Sequence, residues 1–231
     1  MGKLAVSLLE MDYNNLGQEL KEIENSGIDY IHIDMMDGMF VPNVGIGTRL
    51  IQGIRPSTKL VFDVHMMVQE PERLAEKVVN SGADVITVHY EACKDIKKTL
   101  EFIQDLGCKA GIDLNPETPL DVLDDELLKK ADVIHLMTTV PGVEGQKFIP
   151  ESLDKIRSLR RRLEELKLDT DIEVDGNITK ENLRRVVKAG ATIFVSGRAI
   201  VQGDMAENIR QMKTIIQAAE KEENDEVRTW N

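Results

Sequence analysis

A single (β/α)8 barrel is the fold class that this sequence predicts. Eight short runs rich in β-branched and apolar residues recur along the chain, and longer amphipathic segments separate them. The chain has 231 residues, close to the ~250 residues usual for such a barrel. No Pro/Gly/Ser-rich linker or shift of composition divides it. A doubly wound open sheet is the rival, but it more often uses about five or six strands.

The expected strands are residues 4–9, 29–34, 60–65, 84–89, 109–114, 132–137, 171–175 and 192–196. The helical segments are 16–26, 48–54, 71–81, 94–106, 120–130, 150–166 and 180–189, with a last one from 205 to 220. Gly27, Gly82, Gly107 and Gly190 stand just past helices, where the left-handed backbone that closes a helix favours glycine. Three of them lead straight into strands: Gly27-Ile28-Asp29, Gly82-Ala83-Asp84 and Gly190-Ala191-Thr192. This is a local echo of a repeated unit. The barrel domain is expected over 1–219, and 220–231 reads as a polar tail carrying Trp230, which faces solvent or packs on a neighbour.

The 29 Lys and Arg against 41 Asp and Glu give a net charge of −12. That balance argues against nucleic acid, which demands basic surface. It leaves a small phosphorylated ligand open, because a local pocket can oppose the global sign. Hydrophobic residues make up 42%, enough for a sizeable core. Cys93 and Cys108 form no CxxC and no framework spacing, so two free thiols in a reducing, cytoplasmic compartment are expected. No apolar run is long enough for a membrane span, and the one at the start is too short for a signal peptide.

Reactive groups of a barrel lie at the C-terminal ends of its strands. Along Tyr30-Ile31-His32-Ile33-Asp34-Met35-Met36-Asp37-Gly38, His32 and Asp34 are two apart and share a strand face. Asp63 and His65 share a face in the third strand, and Asp175 ends the seventh. An isolated Asp there is usually a helix cap, and an isolated His a satisfied core residue. Four together, His32, Asp34, His65 and Asp175, form a His2Asp2 set suited to a divalent metal. Zn²⁺ fits the N/O mix first; Mn²⁺, Fe²⁺, Co²⁺ or Mg²⁺ are the other candidates.

At this point the sequence resembles the ribulose-phosphate 3-epimerase family from Ala5 to about Ile209. The motifs are Ser7-Leu8-Leu9, His32 through Gly38 with Phe40-Val41-Pro42-Asn43, Asp63-Val64-His65-Met66-Met67 and His89-Tyr90-Glu91-Ala92. They continue with Asn115-Pro116-Glu117-Thr118-Pro119, Met137-Thr138, Pro141-Gly142, Gly145-Gln146-Lys147-Phe148 and Ile172-Glu173-Val174-Asp175-Gly176. The resemblance implies that His32, Asp34, His65 and Asp175 bind the metal. Asp34 and Asp175 would be the acid/base pair on opposite faces of a ketose phosphate, exchanging the proton at C3. The metal would polarise the C2 carbonyl and stabilise the enediolate. Ser7 would hydrogen-bond near the substrate, and Met36, Met67 and Met137 would wall the planar intermediate. Homo-oligomers are also implied.

Phosphate is expected in the loops after strands six to eight: Gly142, Val143, Glu144 and Gly145, then Gly176 and Asn177, then Gly197 and Arg198. Here the chain departs from the family pattern. Val143-Glu144 replaces Phe-Gly, Asn177 replaces a Gly, Arg198 a Ser, and Val6 a Pro. Arg198 is expected on the phosphate, with Glu144 turned outward or paired to it. Asp113 and His135, inward on neighbouring strands where the family usually has small or apolar residues, are expected to pair directly. His89 reads as supporting the site rather than as a ligand. The expected reaction interconverts D-ribulose 5-phosphate and D-xylulose 5-phosphate. The alternatives are a D-allulose 6-phosphate 3-epimerase, a barrel lyase such as a hexulose-phosphate synthase, and a non-catalytic sugar-phosphate binding barrel. His32 and His65 argue against the lyase, and retention of both Asp34 and Asp175 against the binding protein.

Overall fold

The computed structural model describes residues 2–229, with side chains described through Glu222. Trp230 lies outside the described residues. Eight parallel strands close a barrel in sequence order: β1 (Lys3–Ser7), β2 (Tyr30–Met36), β3 (Val61–Met67), β4 (Val85–His89), β5 (Lys109–Leu114), β6 (Val133–Met137), β7 (Asp171–Asp175) and β8 (Ile193–Ser196). The helices are α1 (Leu16–Asn25), α2 (Thr48–Ile54), α3 (Glu72–Asn80), α4 (Ile96–Asp105), α5 (Asp125–Lys130), α6 (Ser152–Glu165), α7 (Lys180–Lys188), α8 (Arg198–Val201) and α9 (Met205–Thr229).

Strand alternation sorts the side chains. Ile31, Ile33 and Met35 of β2, and Phe62, Val64 and Met66 of β3, join the main apolar core outside the barrel wall. Their neighbours His32, Asp34, Asp63 and His65 therefore point inside and are buried there. The floor is apolar, made of Ala5, Val85, Val133, Ile193 and Val195. All four histidines of the chain, His32, His65, His89 and His135, are buried.

The Gly-X-Asp/Thr echo has a structural meaning. Asp29, Asp84 and Asp132, each just before an even-numbered strand, accept hydrogen bonds from the amide of the second residue of the preceding odd-numbered strand. Leu4 N–H donates to Asp29 at 2.9 Å, Phe62 N–H to Asp84 at 2.7 Å and Ala110 N–H to Asp132 at 2.9 Å. In the last pair Ile172 N–H donates to the Thr192 hydroxyl at 3.0 Å. Each acceptor satisfies an amide at the barrel's N-terminal rim and ties neighbouring strands together.

Three boundaries differ from the sequence expectation. β1 stops at Ser7, and Leu8–Glu10 form a 3-10 turn because the Ser7 hydroxyl accepts the Leu9 amide at 3.2 Å. The segment 120–130 divides into a 3-10 turn, Leu120–Val122, and α5, whose N-cap Asp124 accepts from Leu127 N–H at 2.8 Å. α9 continues to Thr229, past the expected end of the last helix at residue 220. Among the described residues, no helix is long and apolar enough to cross a membrane, and Cys93 and Cys108 are free.

Candidate active site

Register gathers the key side chains at one end of the barrel. Asp34 pairs with His65 across β2 and β3, Ser7 with His32 across β1 and β2, and Met137 with Asp175 across β6 and β7. A cavity at this end is lined by Ser7, Asp34, Met36, Met67, Met137, Gly142, Val143, Glu144, Gly145, Asp175, Gly176, Asn177, Gly197 and Arg198. His32 and His65 are fully buried, and they share a cluster with two lining carboxylates. One ligand atom from each of His32, Asp34, His65 and Asp175 lies within 4.8 Å of all the others.

Local backbone geometry holds these groups. Ile46 N–H donates to the Asp34 carbonyl at 2.9 Å and Gly45 N–H to the Met36 carbonyl at 3.1 Å, so the loop after β2 folds back over the strand end. A Cβ on Gly45 would lie 2.4 Å from the Asp34 carbonyl oxygen, which explains glycine there. The Thr138 hydroxyl donates toward the carbonyls of Asp175, at 2.9 Å, and Gly176, at 2.6 Å, fixing the end of β7.

Asp34 is the hub. Its Oδ2 accepts from the Ser7 hydroxyl at 2.7 Å, and its Oδ1 lies 3.5 Å from His32 Nε2 and 3.6 Å from His65 Nδ1. Those two ring nitrogens are buried without a hydrogen-bond partner. Two orphaned imidazole nitrogens facing one carboxylate oxygen, with a second carboxylate beside them, are a donor set that fits a divalent cation. The far ring nitrogens are held from behind. His32 Nδ1 lies 2.7 Å from Asp63 Oδ2, and His65 Nε2 lies 3.0 Å from Asp113 Oδ2.

Burial opposes charge on each of these groups, and the neighbours decide the outcome. For Asp34, His32 and His65 outweigh burial and hold the carboxyl well below the usual range. For Asp175, burial and then the negative charge of Asp34 push the carboxyl up to about 6. Burial disfavours the charged form of His65, yet the hydrogen bond to Asp113 and the nearby Asp34 carboxylate raise it to about 10. Glu173 is pushed well above the usual range by burial and by the charge of Asp63. His135 is driven down to about 3, chiefly by burial, and both its nitrogens lack a hydrogen-bond partner.

Two expected contacts are replaced by others. Asp113 does not hydrogen-bond to His135; its Oδ2 lies 3.0 Å from His65 Nε2 and 2.7 Å from His89 Nε2. The two imidazoles there offer N–H donors within reach, whereas the ring of His135 meets those of His65 and His32 with centroids 4.5 and 5.7 Å away. Arg198 pairs with Glu10, with both guanidinium contacts at 3.3 Å, while Glu144 is exposed. Three supporting residues were absent from the expected site: Asp63, Glu173 and Thr138. The first two carry a legible signal, since each stands two residues before an expected ligand and so faces inward one step deeper.

Comparison with known proteins gives a consistent result. Residues 3–201 match the model of the ribulose-phosphate 3 epimerase family. The ribulose-phosphate 3-epimerase of Bacillus subtilis (strain 168) is 43% identical over 215 residues, covering 92% of this chain and 99% of that protein. That of Synechocystis sp. is 47% identical over 199 residues, covering 85% of this chain and 86% of that protein. Among solved structures, 3-hexulose-6-phosphate synthase from Salmonella typhimurium superposes with a TM-score of 0.71 at 18% identity, covering 94% of this chain and 99% of that one. That likeness concerns the fold.

Proposed function

The chain belongs to the ribulose-phosphate 3-epimerase family and is an isomerase, and on that premise we propose that it interconverts D-ribulose 5-phosphate and D-xylulose 5-phosphate. The observation that carries the reading is the pair Asp34 and Asp175. They come from β2 and β7 and meet at one cavity, where Asp34 is held by the Ser7 hydroxyl at 2.7 Å. Two carboxyls reaching one cavity from different strands can take the roles of base and acid.

Inversion at C3 needs a proton removed from one face and one delivered to the other. Asp34, ionised and fixed by the Ser7 hydroxyl at 2.7 Å, takes the proton in one direction. Asp175 delivers a proton to the opposite face, and the roles exchange in the reverse reaction. Met36, Met67 and Met137 line the same cavity and exclude water from the planar intermediate. His32 Nε2, His65 Nδ1, Asp34 and Asp175 are the groups that would hold a divalent cation. When bound there, such an ion supplies Lewis-acid polarisation of the C2 carbonyl and charge for the developing enediolate.

The loops after β6, β7 and β8 take the phosphate. Gly142, Val143, Glu144 and Gly145, Gly176 with Asn177, and Gly197 with Arg198 line the cavity. Arg198 is the cation in this set, and its present partner Glu10 lines the same cavity. A phosphate dianion exchanges with Glu10 for the guanidinium.

The test is steady-state conversion of D-ribulose 5-phosphate and D-allulose 6-phosphate by chelator-stripped and zinc-reloaded protein. The expected result is a higher kcat/KM for the pentulose, lost on stripping and restored by zinc. Equal or better turnover of the hexulose, or turnover indifferent to stripping, refutes the corresponding part.

A further inference from the structure

His65 reaches the metal cluster with one ring nitrogen and a separate buried group with the other. Nδ1 faces Asp34 Oδ1 at 3.6 Å, while Nε2 lies 3.0 Å from Asp113 Oδ2. The same Asp113 oxygen lies 2.7 Å from His89 Nε2, and the two imidazole Nε2 atoms are 2.9 Å apart. The rings of His65 and His89 stack at 4.9 Å with 29° between their planes. Asp113, His65 and His89 are all fully buried. The other Asp113 oxygen has no hydrogen-bond partner, so its contacts to protein converge on Oδ2.

A buried carboxylate is costly unless it is paired, and these two imidazoles are what pair it. The arrangement also removes a freedom from His65. Turning the imidazole over would set carbon where Nδ1 and Nε2 now stand, so Asp34 and Asp113 would both lose their nitrogen. A ring whose Nε2–H is held by Asp113 keeps its Nδ1 lone pair for a cation. We infer that Asp113, braced by His89, is a positioning residue that fixes the ring and tautomer of His65 so that Nδ1 is presented to the divalent metal. The inference rests on the reading of His32, Asp34, His65 and Asp175 as ligands. Asp113 touches neither substrate nor metal in this scheme; it acts through His65.

The experiment compares wild type, Asp113→Asn and Asp113→Leu as full-length, metal-free proteins. Zinc affinity is measured by competition with a chromophoric chelator, and the zinc-loaded proteins are examined by 15N–1H correlation of the histidine rings. Asp113→Leu is expected to bind zinc about 10- to 100-fold more weakly and to lose the single Nε2–H form of His65. Asp113→Asn, which keeps an acceptor, is expected to fall between. A residue that only fills the barrel would lower the melting temperature but leave affinity and ring signals of the folded protein unchanged. Equal affinities in all three proteins overturn the inference and leave the ligand reading intact. Wild-type protein that binds no zinc overturns the ligand reading and the inference with it. If Asp113→Leu does not fold, Asp113→Asn decides: wild-type affinity, or weaker binding with an unchanged His65 tautomer, contradicts the scheme.

Discussion

Asp34 and Asp175 are chemically identical side chains with opposite tasks, and their neighbours make the difference. Two imidazoles stabilise the Asp34 anion, whereas burial and the Asp34 charge oppose ionisation of Asp175. Asp34→Asn and Asp175→Asn are each expected to lower kcat for epimerisation by about 10²–10⁴-fold, measured by coupled assay on zinc-loaded protein. Arg198→Ala is expected to raise KM about 10-fold or more with little change in kcat, since a hydrogen bond to a charged group contributes about 1.5–3 kcal/mol. Glu10→Gln should lower KM, because it releases the guanidinium from its competitor. A fall in kcat with KM unchanged for Arg198→Ala would remove that residue from the phosphate site. The four clustered residues were legible because a period of two and matching strand ends are local facts. The partners of Asp113 and Arg198 were not, because Asp113 chooses between histidines on β3, β4 and β6, and Arg198 reaches Glu10 across the closure of the barrel.

At the level of elements, β7 and the turn after it set the position of Asp175. Gly176 has φ +124, and a Cβ there would lie 2.5 Å from the Thr139 hydroxyl oxygen and 2.6 Å from its amide nitrogen. Gly176→Ala is therefore expected to cost at least about 1–3 kcal/mol from backbone strain, read as a lower denaturant midpoint. β6 carries His135, whose nitrogens have no hydrogen-bond partner and whose folded form stays neutral down to about pH 3, against 6.5 for a free histidine. The unfolded chain binds this proton first, so stability is lost as pH falls from about 6.5 toward 3. His135→Leu removes that loss. Its stability relative to wild type is expected to rise on acidification by up to about 1.4 kcal/mol per pH unit in that window. A difference flat across that window in urea titrations would show that His135 does not titrate on unfolding. The strand count and order were legible in the sequence, whereas the break between 122 and 125 depends on the Asp124 cap competing with helix continuation.

For the whole molecule, the net charge of −12 and a phosphorylated substrate are compatible because the positive character is local. The interior holds all four histidines beside buried Asp34, Asp63 and Asp113, a concentration of carboxylates that a divalent ion would help to neutralise. Zinc at 100 times its dissociation constant is expected to stabilise the fold by about 2.7 kcal/mol, seen as a raised Tm in calorimetry. An unchanged Tm would argue against binding to the folded barrel. The central claim is that the two carboxylates carry protons to and from C3 on opposite faces of a ketose phosphate. It is tested most directly by epimerising D-ribulose 5-phosphate in deuterated water with the zinc-loaded protein and reading C3 by NMR. The account predicts solvent deuterium at C3 of D-xylulose 5-phosphate in wild type, and in each Asn variant exchange confined to one epimer, opposite for the two. Epimerisation without deuterium at C3, or no exchange with either pentulose phosphate, would contradict it.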